Sequence, residues 1–95
     1  MTILSENDLN EIISTKLTDW KILNGAIERQ FLFKNFSQAL AFLVQIGIEQ
    51  ERANHHAEIH HVYNKIKIRL NTHSANSITN LDTQLALIID TIFGK

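Results

Sequence analysis

Residues 20–34 read Trp20-Lys21-Ile22-Leu23-Asn24-Gly25-Ala26-Ile27-Glu28-Arg29-Gln30-Phe31-Leu32-Phe33-Lys34, and this stretch decides the fold. Asn-Gly is the dipeptide best suited to a two-residue hairpin turn, because both positions demand positive φ. Beyond it, Ile27, Arg29, Phe31 and Phe33 alternate with Ala26, Glu28, Gln30, Leu32 and Lys34. Period-two patterning with one mostly apolar side predicts a strand, and Trp20–Leu23 is its short hairpin partner. Phe31 and Phe33 are expected in the core, with Arg29 on the same side toward a rim.

The pattern recurs downstream. Ile59–Tyr63 and Ile66–Asn71 read as a second hairpin around Asn64-Lys65, and Ile66, Ile68 and Leu70 alternate with Lys67 and Arg69. Between the hairpins a helical period predicts a helix capped by Ser37 and running to about Ala53. Its expected buried stripe is Leu40, Leu43, Val44, Gly47 and Ile48, widened by Ala39 and Phe42. Gly47 lowers helix propensity by about 1 kcal/mol against Ala, and a close approach to the sheet is the expected reason.

Two more helices flank the hairpins. Ser5 and Asp8 resemble a capping box, with Leu4 and Leu9 at the staple positions. Leu9, Ile12 and Ile13 then share one face of a helix near 5–15. Thr79 and Asp82 resemble another capping box, and Leu81, Leu85, Ile88, Ile89 and Ile92 line a third helix that Gly94 can terminate. The expected order is α-β-β-α-β-β-α. The fold class is α+β, a four-stranded antiparallel sheet with three helices packed on one face.

A chain of 95 residues predicts a single domain spanning 1–95. A domain this small leaves much surface exposed, so self-association is expected. A formal net charge of −1, with no cluster of Lys or Arg, argues against nucleic-acid binding. The absence of cysteine excludes disulfides, thiolate metal sites and a cysteine nucleophile. The N-terminal Met1-Thr2-Ile3-Leu4-Ser5-Glu6 lacks the pattern of a secretory signal. No apolar run approaches the roughly 20 residues of a membrane span. A cytoplasmic protein is expected.

The chemistry lies in Glu51-Arg52-Ala53-Asn54-His55-His56, then Tyr63-Asn64-Lys65, Thr72-His73 and Asp82. Imidazole can give and take protons near neutrality. Glu51, at i−4 from His55, can orient that ring. Antiparallel pairing can bring His73, past the fourth strand, and Asp82, in the first turn of the third helix, near the His55-His56 pair. All three imidazoles are then expected to border one cleft. His60 and His61, adjacent in a strand, face opposite ways and receive no role. His56 and His60 stand four apart, but Ala57 occupies the Glu position of H-E-x-x-H, so no metal site is expected. There is no G-x-S-x-G, P-loop or G-x-G-x-x-G.

E-x-x-x-H-H, a Tyr seven residues past the pair, Asn-Lys, T-H and a downstream Asp resemble the pterin-4a-carbinolamine dehydratase family. That family is also known as the dimerisation cofactor of a homeodomain transcription factor. The resemblance extends through Trp20, Phe31-Leu32-Phe33-Lys34-Asn35-Phe36 and Ala39, covering about Trp20 to Ile89. It implies dehydration of 4a-hydroxytetrahydrobiopterin to the quinonoid dihydropterin, without metal or organic cofactor. It also implies a homodimer or homotetramer and a link to an aromatic amino-acid hydroxylase, whose pterin is recycled.

Carried over residue by residue, the resemblance implies His55, His56, His73 and Asp82 as the catalytic set. It implies substrate contacts at Trp20, Glu51, Asn54, Asn71, Thr72 and Ser74. His55 and His56 are expected to transfer protons while His73 holds and polarises the ring. Two positions depart from the family: Ala57 stands where Pro is common, and Asn76-Ser77 where a Gly-rich step is common. The alternative is a non-enzymatic protein-interaction module of the same fold, with Leu85, Ile88, Ile89 and Ile92 as its candidate surface.

Overall fold

Turn chemistry sets the sheet in the computed structural model, which describes residues 1–94. Asn24 and Gly25 both lie at positive φ, 51° and 77°. They join β1 (Lys21–Leu23) to β2 (Ala26–Leu32). The second hairpin joins β3 (Glu58–Val62) to β4 (Lys65–Leu70). β4 pairs with β2 as well as β3, so the antiparallel sheet runs β1-β2-β4-β3. The helices are α1 (Glu6–Thr15), α2 (Phe36–Ala53) and α3 (Asn80–Phe93). The expected α+β class and element order are observed.

Strand alternation sorts the side chains. Ile27 and Phe31 of β2 and Ile66, Ile68 and Leu70 of β4 are fully buried beneath the helices, with Phe42, Ile46, Leu85 and Ile89 facing them. The other sheet face carries Glu28, Gln30, Lys67 and Arg69, and the helices leave it open.

Four local expectations are corrected. The cap of α2 is Asn35, not Ser37, and its side chain accepts from Gln38 N at 2.9 Å. The second turn is Tyr63-Asn64, one residue earlier than expected, because Asn64 is tied to Phe33. Phe33 N donates to Asn64 O and Asn64 Nδ2 donates to Phe33 O, each at 2.9 Å. Arg29 lies inside rather than at a rim. Its guanidinium reaches Asp90 at 2.6 Å and stands over the rings of Phe31 and Phe93.

The fourth correction concerns α2. Its buried side is Ala39, Phe42, Ile46 and Gln50, with Leu43 partly covered. Leu40, Val44, Gly47 and Ile48 face outward, and a Cβ on Gly47 would meet nothing within 4 Å. The helix is apolar on two sides, so periodicity alone could not choose between them. Leu85 and Ile89 of α3 are likewise core, not free surface.

Candidate active site

The loop after α2 is built to turn sharply. Asn54 ends the helix in the left-handed region, φ 50° and ψ 43°, where Asn is tolerated better than most residues. Its N–H returns to the carbonyls of Gln50 and Glu51, and His55 N donates to Gln50 O at 3.0 Å. The side chain of Gln50 is buried, and its Oε1 accepts from Ala57 N at 2.7 Å. One glutamine thus grips the histidine pair from both ends. Proline at 57 would have no N–H to donate; alanine supplies one.

The adjacent histidines face opposite ways, and their partners differ from expectation. Glu51 pairs with His56, not His55, at 2.9 Å. The buried His55 ring instead meets Asp82, Nε2 to Oδ1 at 2.6 Å. An ionised carboxylate only accepts, so His55 Nε2 carries the hydrogen. Asp82 is itself fully buried, and its Oδ2 accepts from Thr72 Oγ1 at 2.8 Å and from Thr79 N at 2.9 Å. Thr72 has one hydroxyl hydrogen, spent on Asp82. The Thr79 hydroxyl, 2.7 Å away, therefore donates to Thr72. The capping box foreseen at Thr79 and Asp82 is present, and it doubles as the anchor of His55.

His73 is presented by a closed loop. Thr72 and Ser77 form an isolated bridge around the short 3₁₀ turn His73–Ala75. Asn76 takes the left-handed conformation, φ 48° and ψ 44°, where a Gly-rich step was the expected family feature.

His56 and His73, from these separate segments, line one cleft of about 230 Å³. It opens on the uncovered end of the sheet, and Asn24, Ala26, Glu58, Arg69, Asn71 and Asn76 complete its wall. A larger hollow of about 550 Å³ near Phe36, Leu40 and Val44 carries no ionisable side chain. Chemistry favours the smaller one.

The remaining expected residues scatter. His55 lies buried with Asp82 and does not line the cleft, so the expectation that all three imidazoles border it is corrected to two. Asn71 lines it, but its Nδ2 donates to Gly25 O at 2.7 Å, holding the first hairpin turn as part of the wall. Thr72 belongs to the buried network. Asn54 serves as helix cap, and Ser74 approaches the Met1 sulfur at 3.9 Å. Trp20 does not line the cleft and is buried in the core, its Nε1 donating to Asp90 at 2.9 Å. Sequence reading missed Gln50, whose only signal was a polar residue in an apolar helix. It also missed Glu58 and Arg69, whose strand alternation aims them at the cleft side. Among the described residues, no three His, Asp or Glu side chains are arranged to hold a metal ion. No helix there is long and apolar enough to cross a membrane.

Comparison with known proteins identifies the family. Residues 2–92 match the family model described as Pterin 4 alpha carbinolamine dehydratase. A Prochlorococcus marinus (strain MIT 9215) protein, provisionally assigned as a pterin-4-alpha-carbinolamine dehydratase, is 43% identical over 93 residues, 98% of this chain and 96% of its own. A Brucella ovis protein with the same provisional assignment is 38% identical over 93 residues, 96% of this chain and 95% of its own. The crystal structure of a transcriptional coactivator/pterin dehydratase from Brucella melitensis superposes with a TM-score of 0.92. It is 36% identical and covers 97% of this chain and 99% of its own. A pterin dehydratase-like RuBisCO assembly factor of the alpha-carboxysome, 18% identical with a TM-score of 0.67, shares the fold. Matched along nearly its whole length, this chain belongs to the pterin-4a-carbinolamine dehydratase family of hydro-lyases.

Proposed function

We propose that this protein dehydrates a 4a-hydroxytetrahydropterin to the quinonoid dihydropterin, with His56 and His73 as the proton-transfer pair. Loss of the 4a-hydroxyl as water needs one proton delivered to the departing oxygen and one removed from N5. The two needs balance: one protonated imidazole gives and one neutral imidazole takes a proton, and exchange with water then restores the starting pair. Positioned acid–base groups contribute about 10²–10⁴-fold each. The observation that carries this reading is the convergence of two imidazoles from separate segments on one small cleft. Glu51 orients His56, while the buried His55–Asp82 pair anchors the loop that carries it. This revises the sequence-based pairing of His55 with His56. In cells the product would return to an aromatic amino-acid hydroxylase, as the family resemblance implies.

The test is the rate of quinonoid dihydropterin formation from freshly generated carbinolamine. Acceleration above the spontaneous rate supports the reading, and an unchanged rate removes it.

Gln50 should matter through position alone. Gln50→Ala removes the acceptor of Ala57 N–H and loosens the turn holding His56. The expected results are a fall in kcat/KM of about tenfold and a stability loss of roughly 1–3 kcal/mol for the unsatisfied amide. Steady-state kinetics with urea titration checks both.

We further propose that the protein self-associates through α2. Phe36, Leu40, Val44 and Ile48 follow one another at i+4 and are each 42–57% exposed. Such a ridge seats in the corresponding groove of a second copy, and Gly47 beside it leaves that groove open. A two-fold pair would bury the same patch on both chains. Val44→Glu should shift the species in sedimentation from dimer or tetramer to a smaller form with an unchanged circular dichroism spectrum. A wild-type monomer at tens of micromolar would contradict this.

A further inference from the structure

Two charged groups of the cleft, Glu58 and Arg69, take no part in the proton transfers. Register fixes where they stand. Arg69 of β4 lies opposite Glu28 of β2 and Glu58 of β3, so one guanidinium sits between two carboxylates in a row across the sheet. Residues two apart in extended chain share a face. His56 is two residues before Glu58 and Asn71 two after Arg69, and His73 reaches the same cleft from the 3₁₀ turn beyond. Two residues of strand span about 6.6 Å, the scale of a fused two-ring heterocycle. The small Ala26 lines the same cleft and adds little bulk to it.

Arg69 is fixed by the scaffold. Nη1 donates to Leu23 O at 2.9 Å and to Glu28 at 3.4 Å, and Nη2 donates to Asn24 O at 3.1 Å. Its Nε stands 3.8 Å from the Glu58 carboxylate, close enough to aim it and too far to be a hydrogen bond. The Glu58 side chain remains 79% exposed. An exposed cross-strand ion pair of this kind contributes little to stability, so its presence in the cleft wall calls for another use. A pterin carries two adjacent donors on its pyrimidine edge, the 2-amino group and N3–H. A carboxylate meets such a pair with both oxygens.

We propose that Glu58, aimed by Arg69, accepts from the 2-amino and N3–H groups of the pterin. It thereby decides which edge of the ring faces the imidazoles and selects 2-amino-4-oxo heterocycles over 2-oxo ones. This rests on the pterin reading above. Glu58 is a specificity residue and Arg69 its positioning residue.

Calorimetry with 7,8-dihydrobiopterin and its 2-oxo (lumazine-type) counterpart tests it, on the wild type and on Glu58→Gln. The wild type should prefer the 2-amino ring by at least about tenfold. Glu58→Gln should weaken 7,8-dihydrobiopterin by about 10–100-fold, the range for a charged hydrogen-bond pair. Binding of the 2-oxo ring should stay within about twofold, so that discrimination disappears. In turnover, KM should rise by the same factor with kcat within about threefold, and the melting temperature should not move. Retained affinity or retained discrimination in Glu58→Gln overturns this proposal alone. A wild type that neither binds dihydropterin nor accelerates dehydration overturns it together with the pterin reading.

Discussion

Asp82→Ala is expected to destabilise the protein by about 3–5 kcal/mol, the cost of removing one partner from a buried charge network. The carboxylate is fully buried and takes hydrogen bonds from His55 Nε2, Thr72 Oγ1 and Thr79 N. Its loss would strand all three donors in the interior and undo the capping box of α3. Domains of this kind hold only about 5–15 kcal/mol in total. The melting temperature should fall by at least about 10 °C, and a share of the protein could be unfolded at assay temperature. Asp82→Asn keeps one acceptor oxygen and should lose roughly half as much. Thermal and urea denaturation of both variants measures this. A loss below about 1 kcal/mol in Asp82→Ala would show that the network is not what anchors His55.

His56→Ala should do the reverse, costing activity and not stability. The ring is exposed and its partner Glu51 more so, so the variant should melt within a few degrees of wild type. Its kcat should fall by about 10²–10⁴-fold. His73→Ala should fall in the same range. With both rings in the one proposed transfer sequence, the double variant should lose less than the product of the single losses. Glu51→Gln should cost only a few-fold, since its carboxylate holds His56 and does not line the cleft. A His56→Ala enzyme within about threefold of wild type would assign the proton transfer elsewhere.

The fold was legible because its signals were local. Asn24-Gly25 announces its turn through backbone conformation alone, and Phe31 and Ile68 announce their faces through alternation. Where two readings satisfied the same pattern, sequence went astray. The α2 helix has apolar residues on both its core side and its Leu40-Val44-Ile48 side, and only packing separates them. Arg29 is a charged residue on an apolar strand face, and the pattern alone does not show the partner that holds it inside. Its partner Asp90 lies 61 positions away.

The site follows the same rule. His56, His73 and Asp82 could be singled out by residue type and spacing. That His55 faces Asp82 while His56 faces Glu51 required the left-handed turn at Asn54, which redirects both rings. Gln50 was invisible because its use depends on the return of the chain at Ala57. Trp20 was drawn toward the cleft by resemblance, whereas its indole N–H is committed to Asp90.

A crystal structure with 7,8-dihydrobiopterin bound would address the central claim most directly. The ring should lie in the cleft over Ala26. The imidazoles of His56 and His73 should each reach the C4a–N5 edge within about 2.6–3.2 Å or through one water. A ring seated on the α2 ridge, or in the cleft with its C4a–N5 edge turned away from both imidazoles, would contradict the account.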